Sequence, residues 1–242
     1  MIENRNSPQQ PPAAGFVLAG GHSSRMGADK ALSLFGGIPL IQVALETLAE
    51  AHFCVCIAGS RSKLGEFAQE IPDTFPESGP MGGIHAALAA SPSEWNLFLP
   101  VDLPLMPSSL LSSLLQRAQL THAPVTVARV NGRIEPLPAV LRSAVFPAIV
   151  QRIAACETAC HKAWHTIPAE LGAPLDAVDV EALLQCGQCS AGRERVGLPP
   201  ALWFCSANTP EELARLNWIG AEMRSHRSPR TESASAGESQ VI

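Results

Sequence analysis

Apolar and polar residues follow one another in blocks along this chain, and the blocks predict strands that alternate with helices. Short apolar runs bounded by glycine, proline or polar residues are typical of buried strands. Such runs occur at residues 15–19, 53–57, 95–101, 125–130, 137–141 and 202–206. Apolar residues at helical spacing predict helices at residues 39–48, from the glycine-rich residues 79–83 through residue 90, and at residues 108–119, 144–155 and 209–223.

This alternation predicts an α/β fold: a mostly parallel, Rossmann-like sheet with helices on both faces, which makes three layers in a single domain. We expect the domain at residues 14–223, between a disordered leader at residues 1–13 and a disordered tail at residues 224–242. Residues 156–200 have the weakest pattern, and no elements are predicted there. In sheets of this kind ligands bind beyond the carboxyl ends of the strands.

Composition and charge exclude several classes of protein. The 242 residues are 46% hydrophobic and 16% charged, and no apolar run approaches the ~20 residues of a membrane span. The first twelve residues lack the apolar core of a signal peptide, so we expect a cytoplasmic protein. A net charge of −5 argues against a nucleic-acid surface, since phosphate backbones are held by clustered Lys and Arg.

The seven cysteines are expected to be reduced, unpaired thiols, since there is no export signal. Cys54 and Cys56 alternate in a predicted strand and are expected to be small core residues. Cys186 and Cys189 have the spacing of a zinc knuckle, and conceivable further ligands are Cys156, Cys160 and His161. The chain holds only one Cys-x-x-Cys, which favours unpaired thiols in loops over a metal site.

A glycine-rich segment follows the first predicted strand at residues 20–30. Glycine lets the backbone approach an anion closely, while Arg25 and Lys30 supply positive charge, so the segment predicts a site for a phosphate chain. The spacing matches neither a Walker A loop nor the Gly-x-Gly-x-x-Gly fingerprint of dinucleotide-binding folds. The alternative is a surface turn whose basic residues are incidental.

A carboxylate, Asp102, ends the third predicted strand between two prolines. Nucleotide-bound Mg²⁺ takes one or two carboxylates together with phosphate oxygens and waters, so one well-placed Asp can hold it. Asp102 and the glycine-rich segment both follow strands, which favours a shared crevice and a metal role over a turn or helix-capping role.

Three pieces of the chain around the glycine-rich segment resemble a family signature. They read Leu18-Ala19-Gly20-Gly21, Ser24-Arg25-Met26-Gly27 and Asp29-Lys30-Ala31-Leu32. Together they resemble nucleotidyltransferases that join a nucleoside triphosphate to a phosphorylated acceptor, and most closely the molybdenum cofactor guanylyltransferases. The strand-end Pro-x-Asp-x-Pro around Asp102 also matches the metal-binding Asp of that family.

The resemblance implies a nucleotide site and Mg²⁺ as the cofactor. Asp73, followed by Gly79-Pro80-Met81-Gly82-Gly83, resembles a family element that contacts the nucleotide, although Asp73 could also be a simple turn residue. The residues implied to be catalytic are Lys30, Asp102 and Arg25, with Asp102 as the metal ligand. The residues implied to bind nucleotide are Leu18, Ala19, Gly20, Gly21, Arg25, Lys30, Asp73, Gly79 and Asp102.

Two further segments resemble the acceptor side of the family. Pro136 lies in a Pro-Leu-Pro-Ala segment, and Asn208 opens Asn-Thr-Pro-Glu-Glu-Leu, in which Thr209 is expected to cap a helix. The chain departs from the family pattern at Ser206, where the family often has Asn. It also has Ala58 where a family Asn contacts the nucleotide.

The resemblance implies transfer of GMP from Mg-GTP to the phosphate of molybdopterin, which gives molybdopterin guanine dinucleotide and pyrophosphate. Cofactor-synthesis proteins and recipient molybdoenzymes are the implied partners, with no nucleic acid and no membrane. One alternative is a related nucleotidyltransferase that uses CTP or a sugar phosphate. Another is a nucleotide-binding regulator without catalysis.

Overall fold

The computed structural model describes residues 13–20, 29–60, 64–189 and 198–225. Most of the predicted leader and tail lies outside the described residues, and so do Gly21 and Arg25. The predicted domain boundaries therefore stay predictions. Among the described residues, no helix is long and apolar enough to cross a membrane.

Strands and helices alternate through the first half of the chain, as the apolar pattern predicts. The elements are β1 (Ala13–Leu18), β2 (Leu34–Phe35), β3 (Ile38–Pro39), α1 (Leu40–Glu50), β4 (Cys54–Ser60), β5 (Glu70–Pro72), α2 (Pro80–Ala90), β6 (Trp95–Pro100) and α3 (Ser108–Thr121). β2 and β3 form a small antiparallel hairpin apart from the main sheet.

The second half of the described chain adds three strands and four helices. The elements are β7 (Val125–Val130), β8 (Arg133–Arg142), α4 (Phe146–Ala154), α5 (Cys160–Glu170), β9 (Asp176–Asp179), α6 (Val180–Gln185) and α7 (Pro210–Ser225).

Within the described residues one seven-stranded sheet has the order β5-β4-β1-β6-β8-β7-β9. β1 pairs in parallel with β4 and β6, β4 with β5, and β7 with β9. β8 runs antiparallel to both of its neighbours, β6 and β7. The predicted mostly parallel sheet is therefore confirmed, and the carboxyl ends of β1, β4 and β6 lie at one edge.

Helices cover both faces of the sheet, which confirms the predicted three layers. Along β1, Val17 points to a core built with α1, α3, α6 and α7. Its neighbours Phe16 and Leu18 point to the opposite core, built with α2, α4 and α5. Successive residues of a strand face opposite sides of the sheet, so a fully apolar strand such as β1 can supply both cores.

The predicted strand at residues 202–206 is wrong. Residues Pro200–Phe204 form a 3-10 turn, and Trp203 is fully buried in the core beside α3 and α7. Pro199 and Pro200 favour a helical turn at this point, because proline fixes φ near the helical value and donates no backbone hydrogen bond. The apolar run is buried without pairing with a strand.

Residues 156–189, for which the sequence predicts no elements, contain α5, β9 and α6. α5 carries a proline, Pro168, near its end, and β9 is four residues long with an aspartate at each end. Neither has the long apolar periodicity that identifies an element in a sequence.

The predicted core position of Cys54 is also wrong, because its side chain is exposed. β5 pairs with β4 only from Ile57 onward, so the first residues of β4 lie at an edge of the sheet. Cys56 is partly buried, and Cys160 and Cys189 are buried. All seven cysteines lie within the described ranges, where each is a free thiol and no group of three or more potential ligands could hold a metal ion.

Candidate active site

The backbone just beyond β1 continues the sheet and leads into the glycine-rich segment. The Ala19 N–H donates to the Ala58 carbonyl at 3.1 Å, and the Val101 N–H donates to the Leu18 carbonyl at the same distance. The ends of β1, β4 and β6 are thus fixed relative to one another. Ala58, at the position where the resemblance implies a family Asn, contributes its backbone carbonyl to this junction.

Gly20 packs against backbone so closely that no side chain fits. A Cβ atom built on Gly20 would lie 2.3 Å from the carbonyl oxygen of Gly59, and one built on Gly59 would lie 3.1 Å from Cα of Gly83. The end of β1, the end of β4 and the first turn of α2 meet through these three glycines. Packing alone therefore requires glycine at position 20, whatever binds there.

Lys30 reaches across the edge of the sheet to two acceptors. Asp29 caps the 3-10 turn Lys30–Leu32, because its carboxylate accepts the N–H of Ala31. From that turn Lys30 Nζ donates to Oδ2 of Asp102 at 2.5 Å and to Oδ1 of Asn208 at 2.6 Å. The Lys30 and Asp102 side chains are only 16% and 15% exposed, so their opposite charges face each other largely out of solvent.

Asp102 follows β6 and is held by the segment that precedes α7. The Ala207 N–H donates to the backbone carbonyl of Asp102 at 3.0 Å, and Ala207 is fully buried. The end of β6 and the start of α7 are thereby joined through the backbone. This contact brings Asp102 and Asn208 to the same Lys30 side chain.

A capping box fixes the backbone of Asn208. The Glu212 carboxylate accepts the N–H groups of Asn208 and Thr209 at 2.8 and 3.1 Å, and Thr209 Oγ1 accepts the N–H of Glu212. This is the reciprocal pattern that satisfies the free donors at a helix start, and it confirms the capping role predicted for Thr209.

Ser206 contacts the side chain of Asn208. The Asn208 Nδ2 donates to Oγ of Ser206 at 2.5 Å, while Oδ1 of the same amide accepts from Lys30. Ser206 stands where the family that the chain resembles often has Asn, but no role could be assigned to it from that difference. The described residues bring Lys30, Asp102, Asn208 and Ser206 together in one cluster, which we call the Lys30 cluster.

Asp73 lies in a tight turn that packs on the beginning of α2. Its carboxylate accepts the N–H of Phe75 at 2.7 Å, and a Cβ atom on Gly82 would lie 2.6 Å from each carboxylate oxygen. Gly79, with φ of +56°, precedes Pro80 at the first position of α2. Asp73 thus stabilises this turn. Its carboxylate can accept further hydrogen bonds in addition to the one from Phe75.

Pro136 lies in β8, on the stretch that extends toward the carboxyl end of β6. Its carbonyl accepts the indole N–H of Trp164 at 2.8 Å. Trp164 lies in α5 and is fully buried. This contact could not be predicted from the sequence, because Trp164 falls in the region with the weakest pattern.

A family model and a curated relative match this chain. The model of the MobA-like NTP transferase domain matches residues 15–166, a stretch that contains Lys30, Asp73, Asp102 and Pro136. The chain belongs to the MobA-like NTP transferase family. A protein of Vibrio cholerae named molybdenum cofactor guanylyltransferase is 30% identical over 221 residues, which cover 89% of this chain and 97% of the relative. The chain is therefore a nucleotidyltransferase of molybdenum cofactor biosynthesis, as its resemblance to these enzymes predicts.

Solved structures share the MobA-like fold. Molybdopterin-guanine dinucleotide biosynthesis protein A of Archaeoglobus fulgidus aligns with a TM-score of 0.68 and 22% identity, over 86% of this chain and 99% of that one. The 2-C-methyl-D-erythritol 4-phosphate cytidylyltransferase of Thermus thermophilus aligns with a TM-score of 0.57 and 16% identity, over 86% and 98%. At these identities the likeness concerns the fold, which enzymes with different nucleotides and acceptors share.

Proposed function

We propose that this protein transfers GMP from Mg-GTP to the terminal phosphate of molybdopterin, which releases pyrophosphate. The Lys30 cluster supports the proposal most directly, because it presents a cation and a carboxylate at the carboxyl edge of the sheet, where such folds bind ligands. The Vibrio cholerae relative, matched over nearly its whole length, carries the name of this activity.

The proposed reaction depends on fixed charged groups more than on a general acid or a general base. An oxygen of the acceptor phosphate attacks the α-phosphorus of GTP, a new P–O bond forms, and the bond to the bridging oxygen of the β-phosphate breaks. A phosphate monoester is already anionic at neutral pH, so no general base has to remove a proton. The developing charge on pyrophosphate has to be stabilised by fixed positive groups.

Among the described residues, Lys30 is the cation placed to stabilise this charge. An ammonium group has three N–H donors, and Asp102 and Asn208 engage two of them. We propose that the remaining donor meets the outer phosphates of GTP. The proposal extends to Arg25 and Gly21, which precede Lys30 in the glycine-rich segment, and to the backbone of Leu18, Ala19 and Gly20.

The donor chemistry of Asp102 fits Mg²⁺. Its carboxylate lies at a mostly buried strand end, and Mg²⁺ prefers one or two carboxylates along with phosphate oxygens and waters. When bound, the ion would supply positive charge to the triphosphate. The Asp102 carboxylate would hold the ion, and Lys30 would meet the phosphates with its remaining donor.

Asp73, together with the turn at Gly79, is proposed to select guanine. Guanine presents N1–H and N2–H donors, which a carboxylate and backbone carbonyls can accept, whereas cytosine would leave these acceptors unpaired. An unpaired buried group costs about 1–3 kcal/mol, so two would give a preference for GTP over CTP on the order of 10² or more.

Pyrophosphate release with purified protein, Mg²⁺ and molybdopterin tests the function. We expect turnover with GTP, and we expect the kcat/KM for CTP to be lower by a factor on the order of 10² or more. A sugar 1-phosphate in place of molybdopterin is expected to give no turnover. A preference for CTP would overturn the guanine assignment, and turnover with the sugar phosphate alone would overturn the acceptor.

A further inference from the structure

Ser206 lies in the segment between the 3-10 turn Pro200–Phe204 and α7, and its hydroxyl accepts the Nδ2 group of Asn208 at 2.5 Å. We propose that Ser206 is a positioning residue that decides which end of the Asn208 amide faces Lys30, and thereby strengthens the binding of triphosphate over monophosphate. The inference rests on the proposed function, in which Lys30 meets the outer phosphates.

The Asn208 amide needs such a partner because its two ends are similar in size and opposite in hydrogen bonding. The oxygen accepts and the NH₂ group donates. Toward the Lys30 ammonium, the oxygen end is attractive and the NH₂ end places donors against a cation. The Ser206 oxygen, on the other side of the amide, holds the NH₂ end away from Lys30.

The backbone around this amide is already fixed, so its rotation is the freedom that Ser206 removes. The Ala207 N–H is bound to the carbonyl of Asp102, and the Asn208 N–H is bound to Glu212. Without the Ser206 hydroxyl, rotation about the last side-chain bond of Asn208 would turn either end toward Lys30 with no change in the backbone.

The orientation of Asn208 matters for nucleotide binding through Lys30. A lysine side chain loses conformational entropy when it is fixed. Two well-oriented acceptors hold the ammonium before GTP arrives, so less of this cost falls on binding. GMP lacks the outer phosphates, so its affinity is expected to be independent of the orientation of Asn208.

The test compares the affinities of full-length protein for GTP and GMP at a fixed Mg²⁺ concentration. For Ser206→Ala we expect the Kd of GTP to rise by roughly 5- to 10-fold, which is about 1–1.4 kcal/mol, with the Kd of GMP unchanged. Ser206→Thr keeps a hydroxyl and is expected to restore the wild-type ratio. Ser112→Ala removes an exposed serine hydroxyl that bonds within α3 and is the matched control, with both affinities at the wild-type value.

A double mutant separates positioning from a general structural effect. In an Asn208→Ala background, Ser206→Ala is expected to change the GTP affinity no further, because no amide remains to be oriented. Additive losses, or equal losses for GTP and GMP, would overturn the inference.

The inference and the proposed function can fail separately. An unchanged ratio of GTP to GMP affinity in Ser206→Ala overturns the role of Ser206 even if the wild type transfers GMP to molybdopterin. A changed ratio in a protein that does not act on molybdopterin supports Ser206 and overturns the acceptor.

Discussion

The ion pair of Lys30 and Asp102 contains the two charged groups that the proposed reaction uses, an ammonium group and a carboxylate. Each group lies largely out of solvent, and removal of one partner leaves the other as a mostly buried charge. In the absence of substrate, the pair therefore compensates both charges. In the proposed function, a magnesium triphosphate would offer each group a partner of opposite charge.

We predict that Asp102→Asn lowers turnover by roughly 10²-fold or more, because it removes the carboxylate proposed to hold Mg²⁺, whose positive charge would stabilise the transition state, and leaves Lys30 without its counter-charge. Pyrophosphate release over a range of Mg²⁺ concentrations measures the effect. Asp179→Asn is the control: Asp179 caps α6, Asn caps equally well, and turnover should stay normal. Near-normal activity of Asp102→Asn at limiting Mg²⁺ would contradict the metal role.

We predict that Lys30→Ala weakens GTP binding and leaves GMP binding close to normal, because the outer phosphates are its proposed partners. Isothermal titration with both nucleotides measures the contrast. Lys162→Ala, at an exposed position of α5, controls for the loss of one positive charge. Equal losses for GTP and GMP would show that Lys30 acts on the base, the ribose or the fold.

At the scale of elements, α5 supports the strand that carries Pro136. The Trp164 indole joins the helix to the Pro136 carbonyl from a fully buried position. The segment of β8 between Glu135 and Ala139 does not pair with β7, since the register shifts there. The indole therefore holds a stretch of β8 that is not paired with β7.

We predict that Trp164→Phe lowers the free energy of unfolding by about 1–3 kcal/mol, since the Pro136 carbonyl loses its donor. Urea denaturation measures this change. Trp218→Phe, at a side chain that is 65% exposed, should stay within about 0.5 kcal/mol of wild type. If Pro136 lies beside the acceptor, Trp164→Phe also raises the KM for molybdopterin and not that for GTP; equal changes would place its effect elsewhere.

The elements with a clear apolar pattern could be predicted from the sequence, whereas α5, β9 and α6 could not. β1 is apolar throughout and β4 and β6 are mostly apolar, because helices cover both of their faces, and such runs are readable in a sequence. α5 carries a proline near its end, and β9 and α6 are only four and six residues long, so their apolar pattern is weak. The same holds for the site: glycine spacing and strand-end position indicate Lys30 and Asp102, whereas the contact of Asn208 with Lys30 joins residues 178 positions apart and exists only in the folded chain.

At the scale of the whole molecule, burial in either core raises the pKa of a cysteine thiol. Burial raises the pKa of the Cys160 thiol to about 12, and burial also raises the pKa values of Cys56 and Cys189. Thiols in the unfolded chain ionise near pH 9. The folded state therefore keeps protons that the unfolded state loses as the pH rises.

We predict that the free energy of unfolding falls as the pH rises from about 9 toward 12, by up to ~1.4 kcal/mol per pH unit through the Cys160 thiol. Its contribution is complete below pH 9, since both states are then protonated. Denaturation at several pH values tests the sign, and Cys160→Ala should flatten the slope. At pH 8, iodoacetamide should label the exposed Cys54 and Cys186 and spare Cys160; labelling of Cys160 in the native protein would contradict its burial.

The bond between Lys30 and Asn208 spans 178 positions of the chain, which has a consequence for biosynthesis. Contacts between distant residues form late, because the intervening chain must be ordered first. A nascent polypeptide on the ribosome can pair Lys30 with Asp102 long before Asn208 has been made. A nascent chain therefore cannot complete the Lys30 cluster before Asn208 is made, and a prematurely terminated product that lacks Asn208 and α7 would lack the proposed positioning of Lys30 by Asn208.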